Sequence, residues 1–374
     1  MFILVFLITI LILVLIHEAG HFIAAKKFNI KVLEFGFGLP PRAWGKKIGE
    51  TIYSLNWLPF GGFVRLLGED EVDKEILDNK RSFAHQSVSK KIIVVVAGVA
   101  MNLVLAWVLF YIVLAAQNFK VQLPPLVPHK FVGVHQSEEK MVLIRDIAVG
   151  SPAEQASLKK GDRILEFNGQ PLTDSNSFVV KTKENAGKEV TLKVSDIGGS
   201  EQRVVTVVPR KDPPPGQGAI GISLISTGII NLEYKEPWQK ALAGPIHGYN
   251  LIVYSGKFLG KAIAVSLEKR DFSPVSQNVA GPIGITSIVR QLLEVKNPLI
   301  PYLDFMAALS LNLALVNILP FPGLDGGRLF FLIIEAFTKK RTHPTLEKYI
   351  HTIGLAILLG LIFLVTLSDI EKLF

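Results

Sequence analysis

The sequence predicts a multi-pass α-helical membrane protein of about four transmembrane helices, with a β-hairpin region and an inserted β-rich domain. Of its 374 residues 49% are hydrophobic, and the mean hydropathy is +0.39. Crossing a bilayer takes about 20 consecutive apolar residues, and four segments meet this requirement. They are residues 2–25, 92–116, 303–337 (interrupted) and 350–367.

Basic residues orient these segments in the membrane. They are concentrated in the connections that follow the first and third segments, which the positive-inside rule makes cytoplasmic. Both termini and residues 117–302 then lie outside. The net charge of +8 is distributed beside apolar runs, so no nucleic-acid partner is expected. The basic residues are Lys26, Lys27, Lys31, Arg42, Lys46, Lys47, Arg65, Lys74, Lys80, Arg81, Lys90 and Lys91, and then Lys339, Lys340, Arg341 and Lys348.

The first apolar segment contains a metalloprotease-type motif, HExxH, in which His17 and His21 flank Glu18. Residues four apart share one face of a helix, so two imidazoles can bind one Zn²⁺, with Glu18 beside it as a general base. Ionisable groups at bilayer depth are costly and favour a functional role over a pair of hydrogen-bonded core histidines. A helix over residues 2–25 is about 36 Å long, so the site lies towards its cytoplasmic end.

A third metal ligand must be sought elsewhere in the chain. A catalytic zinc usually has three protein ligands, and a chain without cysteine must supply them from His, Asp or Glu. Asp325 is the best candidate, because it lies in a run of prolines and glycines, residues 317–327, that breaks the third apolar segment. The alternative is a helix kink with one solvated aspartate at a helix end.

An HExxH motif in a first transmembrane helix, followed by an NxxPxxxLDGG-type run, resembles the site-2 protease family of intramembrane zinc metalloproteases. The resemblance is to bacterial members of the regulator-of-sigma type with a single PDZ domain. It implies one catalytic zinc held by His17, His21 and Asp325, with Glu18 as the catalytic residue. Asn317 and Asn312 match family positions that contact the substrate backbone.

Two further regions resemble this family. Gly98 and Asn102 match the GxxxN run of its second span, although Val99 replaces the more usual proline, and Asn102 joins the candidate substrate-binding residues. Residues 30–68 resemble a membrane-associated β-hairpin region whose exposed edge, near residues 51–64, could bind an extended substrate by strand addition. An ordinary cytoplasmic hairpin is the alternative. The candidate residues here are Tyr53, Leu55, Gly61 and Gly62.

Residues 117–211 are predicted to form an extracytoplasmic PDZ domain. Residues 150–165 resemble the central signature of bacterial PDZ domains, and Asn168-Gly169 is a turn. Such a domain either binds a peptide end or acts as a steric filter. Strands are predicted at Met141–Ile144, Arg163–Phe167, Val190–Val194 and Arg203–Val208.

A linker and a membrane-surface segment are predicted to follow, over residues 212–302. Residues 212–216 are rich in proline, and residues 237–264 could form an amphipathic helix at the outer membrane surface. Residues 281–285 resemble a short family motif whose physical role the sequence does not explain. The chain is thus divided into residues 1–116, 117–211, 212–302 and 303–374.

The complete prediction is an intramembrane zinc metalloprotease of the bacterial inner membrane. By resemblance, its substrates are single-span membrane proteins, such as anti-sigma factors after a first cleavage, and remnant signal peptides. Its other partner is the lipid bilayer. Two alternatives remain open at this stage, a metal-binding membrane transporter or sensor and an inactive scaffold that presents its PDZ domain.

Overall fold

The computed structural model describes residues 2–69, 73–172, 174–196, 202–340 and 344–372. The chain forms two compact units, a helical unit of Met1–Asn118 with Ala241–Phe374 and a β-rich unit of Phe119–Lys240. Arg341, one of the predicted cytoplasmic basic residues, lies outside the described residues. In chain order the elements are α1 (Phe2–Lys27), β1 (Val32–Ile48), β2 (Thr51–Leu66), α2 (Lys74–Leu77), α3 (Val88–Ala116), β3 (Lys120–Leu123), β4 (His135–Ile147), α4 (Pro152–Gln155), β5 (Arg163–Phe167), β6 (Gln170–Pro171), α5 (Ser175–Glu184), β7 (Val190–Ser195), β8 (Gln202–Val207), β9 (Ile222–Glu233), α6 (Pro237–Ala241), α7 (Ala243–Lys269), α8 (Ser273–Ser276), α9 (Pro282–Glu294), α10 (Leu299–Ile318), α11 (Asp325–Thr338) and α12 (Pro344–Glu371).

Four of the described helices, α1, α3, α10 and α12, have the length and composition to cross a membrane. They correspond to the four predicted segments. The predicted interruption of the third segment is also present, because α10 ends at Ile318 and α11 begins at Asp325. Pro320 and Pro322 lie between them, and proline cannot donate the backbone hydrogen bond that a continuous helix needs.

Helix α3 is the centre of the helical unit and packs against α1, α7, α10 and α11. Small residues allow the close approach of α1, since a Cβ on Gly20 would lie 2.2 Å from the carbonyl oxygen of Ala97. On the α10 side, the buried Ser310 hydroxyl donates a 2.8 Å hydrogen bond to the carbonyl of Asn102. These contacts place the HExxH helix and the helix before the break on the same central helix.

The predicted amphipathic helix over residues 237–264 is present as α6 and α7. Its packing was not predicted. The first part of α7 lies against α3, where a Cβ on Gly244 would be 2.1 Å from the carbonyl oxygen of Trp107. One turn later, the buried His247 ring packs edge-on against Phe110, with 5.1 Å between the ring centroids.

Strands β1 and β2 form the predicted hairpin region, and each is bent so that they pair more than once. Residues 34–37 of β1 pair on one side with residues 62–65 of β2 and on the other side with residues 52–55. Residues 51–55 also pair with residues 44–48. Strand β2 bends at Gly61, whose φ of +78° favours glycine.

Glu50, in the turn between β1 and β2, links three parts of the helical unit. Its carboxylate lies 2.7 Å from the Arg81 guanidinium and 2.6 Å from the Lys26 ammonium at the end of α1. Hydrogen bonds from Arg81 and then Lys26 lower the pKa of Glu50 to about 2. The carboxylate is therefore ionised at neutral pH, as the two ion pairs require.

The β-rich unit is an antiparallel sheet with the strand order β3-β9-β4-β5-β7-β8, to which β6 adds beside β5. The four predicted strands are present as parts of β4, β5, β7 and β8, although β8 ends at Val207, one residue before the predicted end. The predicted turn at Asn168-Gly169 is also present, and both residues have positive φ. Phe167, Phe178 and Leu192 are among the buried residues of its core.

The predicted boundary of this unit was wrong. Residues 222–233 were assigned to a linker, but they form β9, which pairs with β4 along its length and with β3 at residues 230–233. The unit therefore extends from Phe119 to Lys240. The proline-rich residues 212–216 form a loop between two strands of one sheet, and loop composition alone does not distinguish such a loop from a linker.

The unexplained motif at residues 281–285 forms the start of α9. The buried carboxylate of Asp369, on α12, accepts a 2.8 Å hydrogen bond from the backbone N–H of Gly284. A Cβ on Gly281 would lie 2.8 Å from the same carboxylate oxygen. The glycines thus leave room for an acidic side chain at a helix N-terminus, where the helix dipole stabilises negative charge.

A buried ion pair joins α11 to α3. The Lys91 ammonium lies 2.9 Å from a Glu335 carboxylate oxygen, and both side chains are largely buried. We expect Glu335→Gln to lower the free energy of unfolding by roughly 3–5 kcal/mol, because it leaves a buried ammonium without its counter-charge. Unfolding in detergent would measure this, with Glu294→Gln as the control for an exposed ion pair with Arg290. Equal effects of the two substitutions would contradict the prediction.

Candidate metal centre and active site

The side chains of His17, His21 and Asp325 converge at one point of the helical unit. The two histidines lie four residues apart on α1, and the aspartate is the first residue of α11. Asp325 Oδ2 is 2.9 Å from His17 Nε2 and 3.3 Å from His21 Nε2. The two Nε2 atoms are 3.3 Å apart. Residues about 300 positions apart in the chain thus present one donor atom each to a common point.

These three atoms fit a zinc ion. With Zn–N and Zn–O distances of about 2.0–2.1 Å, neighbouring ligand atoms of a tetrahedral site lie about 3.3 Å apart. The observed separations of 2.9, 3.3 and 3.3 Å are close to that value. Two imidazoles and one carboxylate are also a common ligand set for a catalytic zinc, which keeps its fourth position for water.

His21 is oriented by α3. Its Nδ1 lies 2.8 Å from the carbonyl oxygen of Val94, so Nδ1–H donates to that carbonyl and Nε2 keeps its lone pair for a metal. The ring lies directly over Gly98, where a Cβ would be 2.3 Å from Nε2. The glycine of the GxxxN run therefore makes room for the His21 imidazole.

His17 is oriented by the asparagine of the same run. Asn102 is fully buried, and its Nδ2 lies 3.3 Å from His17 Nδ1. Its Oδ1 has no hydrogen-bond partner among the described residues. A metal at Nε2 requires the proton to be on Nδ1. If the two ends of the amide are exchanged, Nδ1–H donates to Oδ1, and Nε2 keeps its lone pair for a metal. This geometry fits a residue that orients a ligand better than one that contacts substrate.

The break between α10 and α11 determines where Asp325 lies. Gly326 and Gly327 are buried against the backbone of the break, where a Cβ on Gly326 would be 2.1 Å from the Leu319 carbonyl oxygen. A Cβ on Gly327 would be 2.5 Å from the carbonyl oxygen of Phe321. The glycines after the aspartate therefore allow the first turn of α11 to pack on the chain that leads into it.

Glu18 lies on α1 next to the ligand pair and faces the hairpin region. A Cβ on Gly62 would lie 3.1 Å from Glu18 Cγ and 3.0 Å from a methyl group of Val14. Among the described residues, no other strand pairs with the outer edge of residues 62–66. An unpaired strand edge therefore runs past the candidate general base.

Comparisons with known proteins agree with this geometry. The family model described as peptidase family M50 matches residues 5–361. The chain belongs to peptidase family M50. It is an intramembrane zinc metallopeptidase of the site-2 type, and its cofactor is a catalytic zinc.

Relatives of this M50 peptidase match nearly the whole chain. A zinc metalloprotease of Clostridium perfringens is 32% identical and the match covers 96% of this chain and 95% of the relative. A zinc metalloprotease of Nostoc sp. is 33% identical, with 95% and 92% covered. The regulator of sigma-W protease RasP of Bacillus subtilis is 26% identical, with 97% and 96% covered.

Solved structures also match this M50 peptidase, and one example matches part of the chain. The PDZ domain of an SdrC-like protein from Listeria monocytogenes is 21% identical, and the match covers 26% of this chain and 94% of that domain. The TM-score is 0.20, which is too low to define the fold of the β-rich unit.

Some of the other predicted site residues of the M50 peptidase lie near His17 and Glu18, and others do not. Asn317 lies at the metal site, with Nδ2 3.5 Å from His17 Nε2, and Gly62 lies beside Glu18. Asn312 is exposed and lies five residues, about 140° of helical rotation, from Asn317, so it does not share that face of α10. Its contact with substrate stays a prediction.

The candidate residues in the first part of β2 are not on the free edge. Leu55 is paired on both sides, with Phe37 and with Trp44. Tyr53 packs in a cluster with the rings of Phe22 and Phe35. Gly61 is at the bend. The edge predicted near residues 51–64 is therefore confined to the stretch after the bend, residues 62–66.

The sequence did not indicate two residues around this site, Val94 and Arg328. Val94 acts through its backbone, which carries no sequence signal. Arg328 lies one turn after Asp325, where it pairs with Glu69 and lies within electrostatic range of Glu18. Its position i+3 from a candidate ligand is the one signal that could have indicated it.

Proposed function

We propose that His17, His21 and Asp325 hold the catalytic zinc and that Glu18 is the general base for peptide hydrolysis. Zinc bound here would activate a water molecule and polarise the scissile carbonyl. The Glu18 carboxylate accepts a proton from the attacking water and returns it to the leaving amine. Asn102 and the Val94 carbonyl keep the protons of the two imidazoles on Nδ1.

This proposal rests on the geometry of the donor atoms. Three donor atoms from two separate helices lie 2.9–3.3 Å apart, with a carboxylate next to them on the same helix. Polar groups at bilayer depth cost free energy on both α1 and α11. A catalytic site explains why both helices carry them. A transporter or an inactive scaffold would not require Glu18.

The substrate is the transmembrane segment of a single-span protein. The carbonyls of a helical substrate are already hydrogen-bonded, so the segment must be extended before it is cut. The free edge of residues 62–66 would hold it by strand addition, with the backbone of the substrate beside Glu18. Asn317 is placed to donate a hydrogen bond to a substrate carbonyl near the metal.

Anti-sigma factors that another protease has already shortened are the substrates that we propose, together with remnant signal peptides. The similarity to a protein named regulator of sigma-W protease supports the first of these. The membrane is the bacterial inner membrane, with the active site towards the cytoplasmic side. Both termini and residues 119–240 lie outside, in accordance with the positive-inside rule.

We further propose that the β-rich unit is a PDZ domain that acts mainly as a steric filter, because an active site within the membrane must exclude intact ectodomains. Peptide binding is the second role to consider. Grafting a folded ectodomain onto a cleavable single-span substrate would separate the two. If the unit acts as a filter, the substrate with the folded ectodomain should be cut by a variant that lacks residues 119–240 and not by the full chain.

The purified full chain, reconstituted in vesicles with a single-span substrate, tests the hydrolytic function. We expect cleavage that stops after treatment with a zinc chelator and returns with added zinc, and mass spectrometry should place the cut within the apolar segment. Asp325→Asn should lose both zinc and cleavage. Cleavage by the zinc-free protein, or a cut outside the apolar segment, would refute the proposal.

A further inference from the structure

The first half of helix α12 contacts the break between α10 and α11. Gly354 is buried, whereas its neighbours Ile353 and Leu355 are 60% and 49% exposed. A Cβ on Gly354 would lie 2.1 Å from the carbonyl oxygen of Pro322. In the other direction, a Cβ on Gly323 would lie 2.9 Å from the backbone nitrogen of Leu355. Two backbones thus touch where glycine is present on both sides.

His351, one turn before Gly354, makes a polar contact with the same turn. Its Nδ1 accepts a 2.9 Å hydrogen bond from the backbone N–H of Gly323. Its ring also packs against Phe331 of α11, with 5.8 Å between the centroids. Residues three apart share a face of a helix, so His351 and Gly354 present one combined surface to the break.

The turn that they contact needs external support. Gly323 has a φ of +95°, and residues 319–324 lie outside both α10 and α11. The N–H groups of Leu319, Phe321 and Leu324 donate to nearby backbone carbonyls, whereas the Gly323 N–H donates to a side chain. At membrane depth such groups must find partners in the protein. His351 supplies one, to an N–H that is two residues before Asp325.

We propose that His351 and Gly354 form a brace, named here the α12 brace, that positions Asp325 for zinc binding. Both are positioning residues for the reaction and neither touches the metal. The brace rests on the proposed role of Asp325 as a zinc ligand. It gives the fourth span a part in the active site, which the sequence motifs do not assign to it.

Two substitutions disrupt the α12 brace in different ways. His351→Leu removes the acceptor for the Gly323 N–H, and His351→Asn restores one, because an asparagine Oδ1 can occupy the position of the histidine Nδ1. Gly354→Val drives a side chain into the Pro322 carbonyl. Gly360→Val is the matched control. Gly360 lies on the same helix, and a Cβ there would have no atom within 4 Å among the described residues, apart from its own stretch of helix.

The test measures zinc binding by the purified full chain in detergent. We expect His351→Leu and Gly354→Val to bind zinc about 10- to 100-fold more weakly, which is the usual effect of losing support around a metal ligand. With Co²⁺ in place of zinc, their visible absorption spectra should change. His351→Asn and Gly360→Val should resemble the unmodified protein in both measurements.

The outcomes separate this inference from the proposal on which it rests. Asp325→Ala is measured in parallel. If it loses zinc while His351→Leu keeps normal affinity and an unchanged Co²⁺ spectrum, the α12 brace is refuted and the ligand assignment stands. If Asp325→Ala also keeps zinc, the ligand assignment itself fails. Should Gly354→Val not fold, the comparison of His351→Leu with His351→Asn decides the question.

Discussion

Glu18→Gln should abolish peptide hydrolysis while zinc stays bound. Glutamine keeps the shape of the side chain beside the metal ligands but cannot accept the proton of the attacking water. A positioned general base contributes about 10²–10⁴-fold to a rate, so kcat should fall by at least that factor. Cleavage of a single-span substrate in vesicles and the zinc content of the same preparation are the two measurements.

The control for this substitution is Glu294→Gln, which removes an exposed carboxylate on α9. It should leave cleavage unchanged. Cleavage by Glu18→Gln at the rate of the unmodified protein would remove Glu18 from the mechanism. Loss of zinc from Glu18→Gln would give Glu18 a role in metal binding that the ligand geometry does not assign to it.

Gly98→Ala should lower zinc affinity by about 10- to 100-fold and lower activity with it. The added Cβ would lie 2.3 Å from His21 Nε2, and the imidazole cannot simply turn away because its Nδ1 is hydrogen-bonded to the Val94 carbonyl. Alanine favours the helix more than glycine does, by roughly 1 kcal/mol, so a loss of function would not come from a lower helix propensity of α3.

Gly360→Ala adds the same methyl group to α12. Apart from its own stretch of helix, no atom of the described residues would lie within 4 Å of this group, so the variant should keep both zinc and activity. Zinc dialysis against a chelator of known affinity compares the two variants directly. If Gly98→Ala bound zinc as tightly as Gly360→Ala, the close approach of α3 to His21 would have no functional importance.

The main features of the membrane part were predictable from the sequence because they depend on local properties. An apolar run of sufficient length predicts a spanning helix wherever it is in the chain, and α1, α3, α10 and α12 follow from it. The four-residue spacing of His17 and His21 is a property of one helix. The prolines around Asp325 predict the break in the same way, since they act on their own helix.

The sheets were predictable only in part. Strands β5 and β7 follow from runs of β-forming residues, but β9 lies after a proline-rich loop that resembles a linker. The residues with which it pairs in β4 and β3 are 75 to 113 positions earlier in the chain. In the hairpin region, the composition of residues 51–58 predicts a strand without indicating that the strand is paired on both sides. Which edge is free depends on how the strands fold back.

By itself, the sequence determined that this chain spans a membrane and that it carries an HExxH helix and a third ligand candidate at a helix break. Only the tertiary structure decided how these parts meet. It placed Gly98 under His21, Asn102 beside His17, the edge after Gly61 next to Glu18, and His351 against the turn before Asp325. These contacts join residues that are tens of positions apart in the chain and lie on different elements, and no periodicity or spacing in a single segment records them.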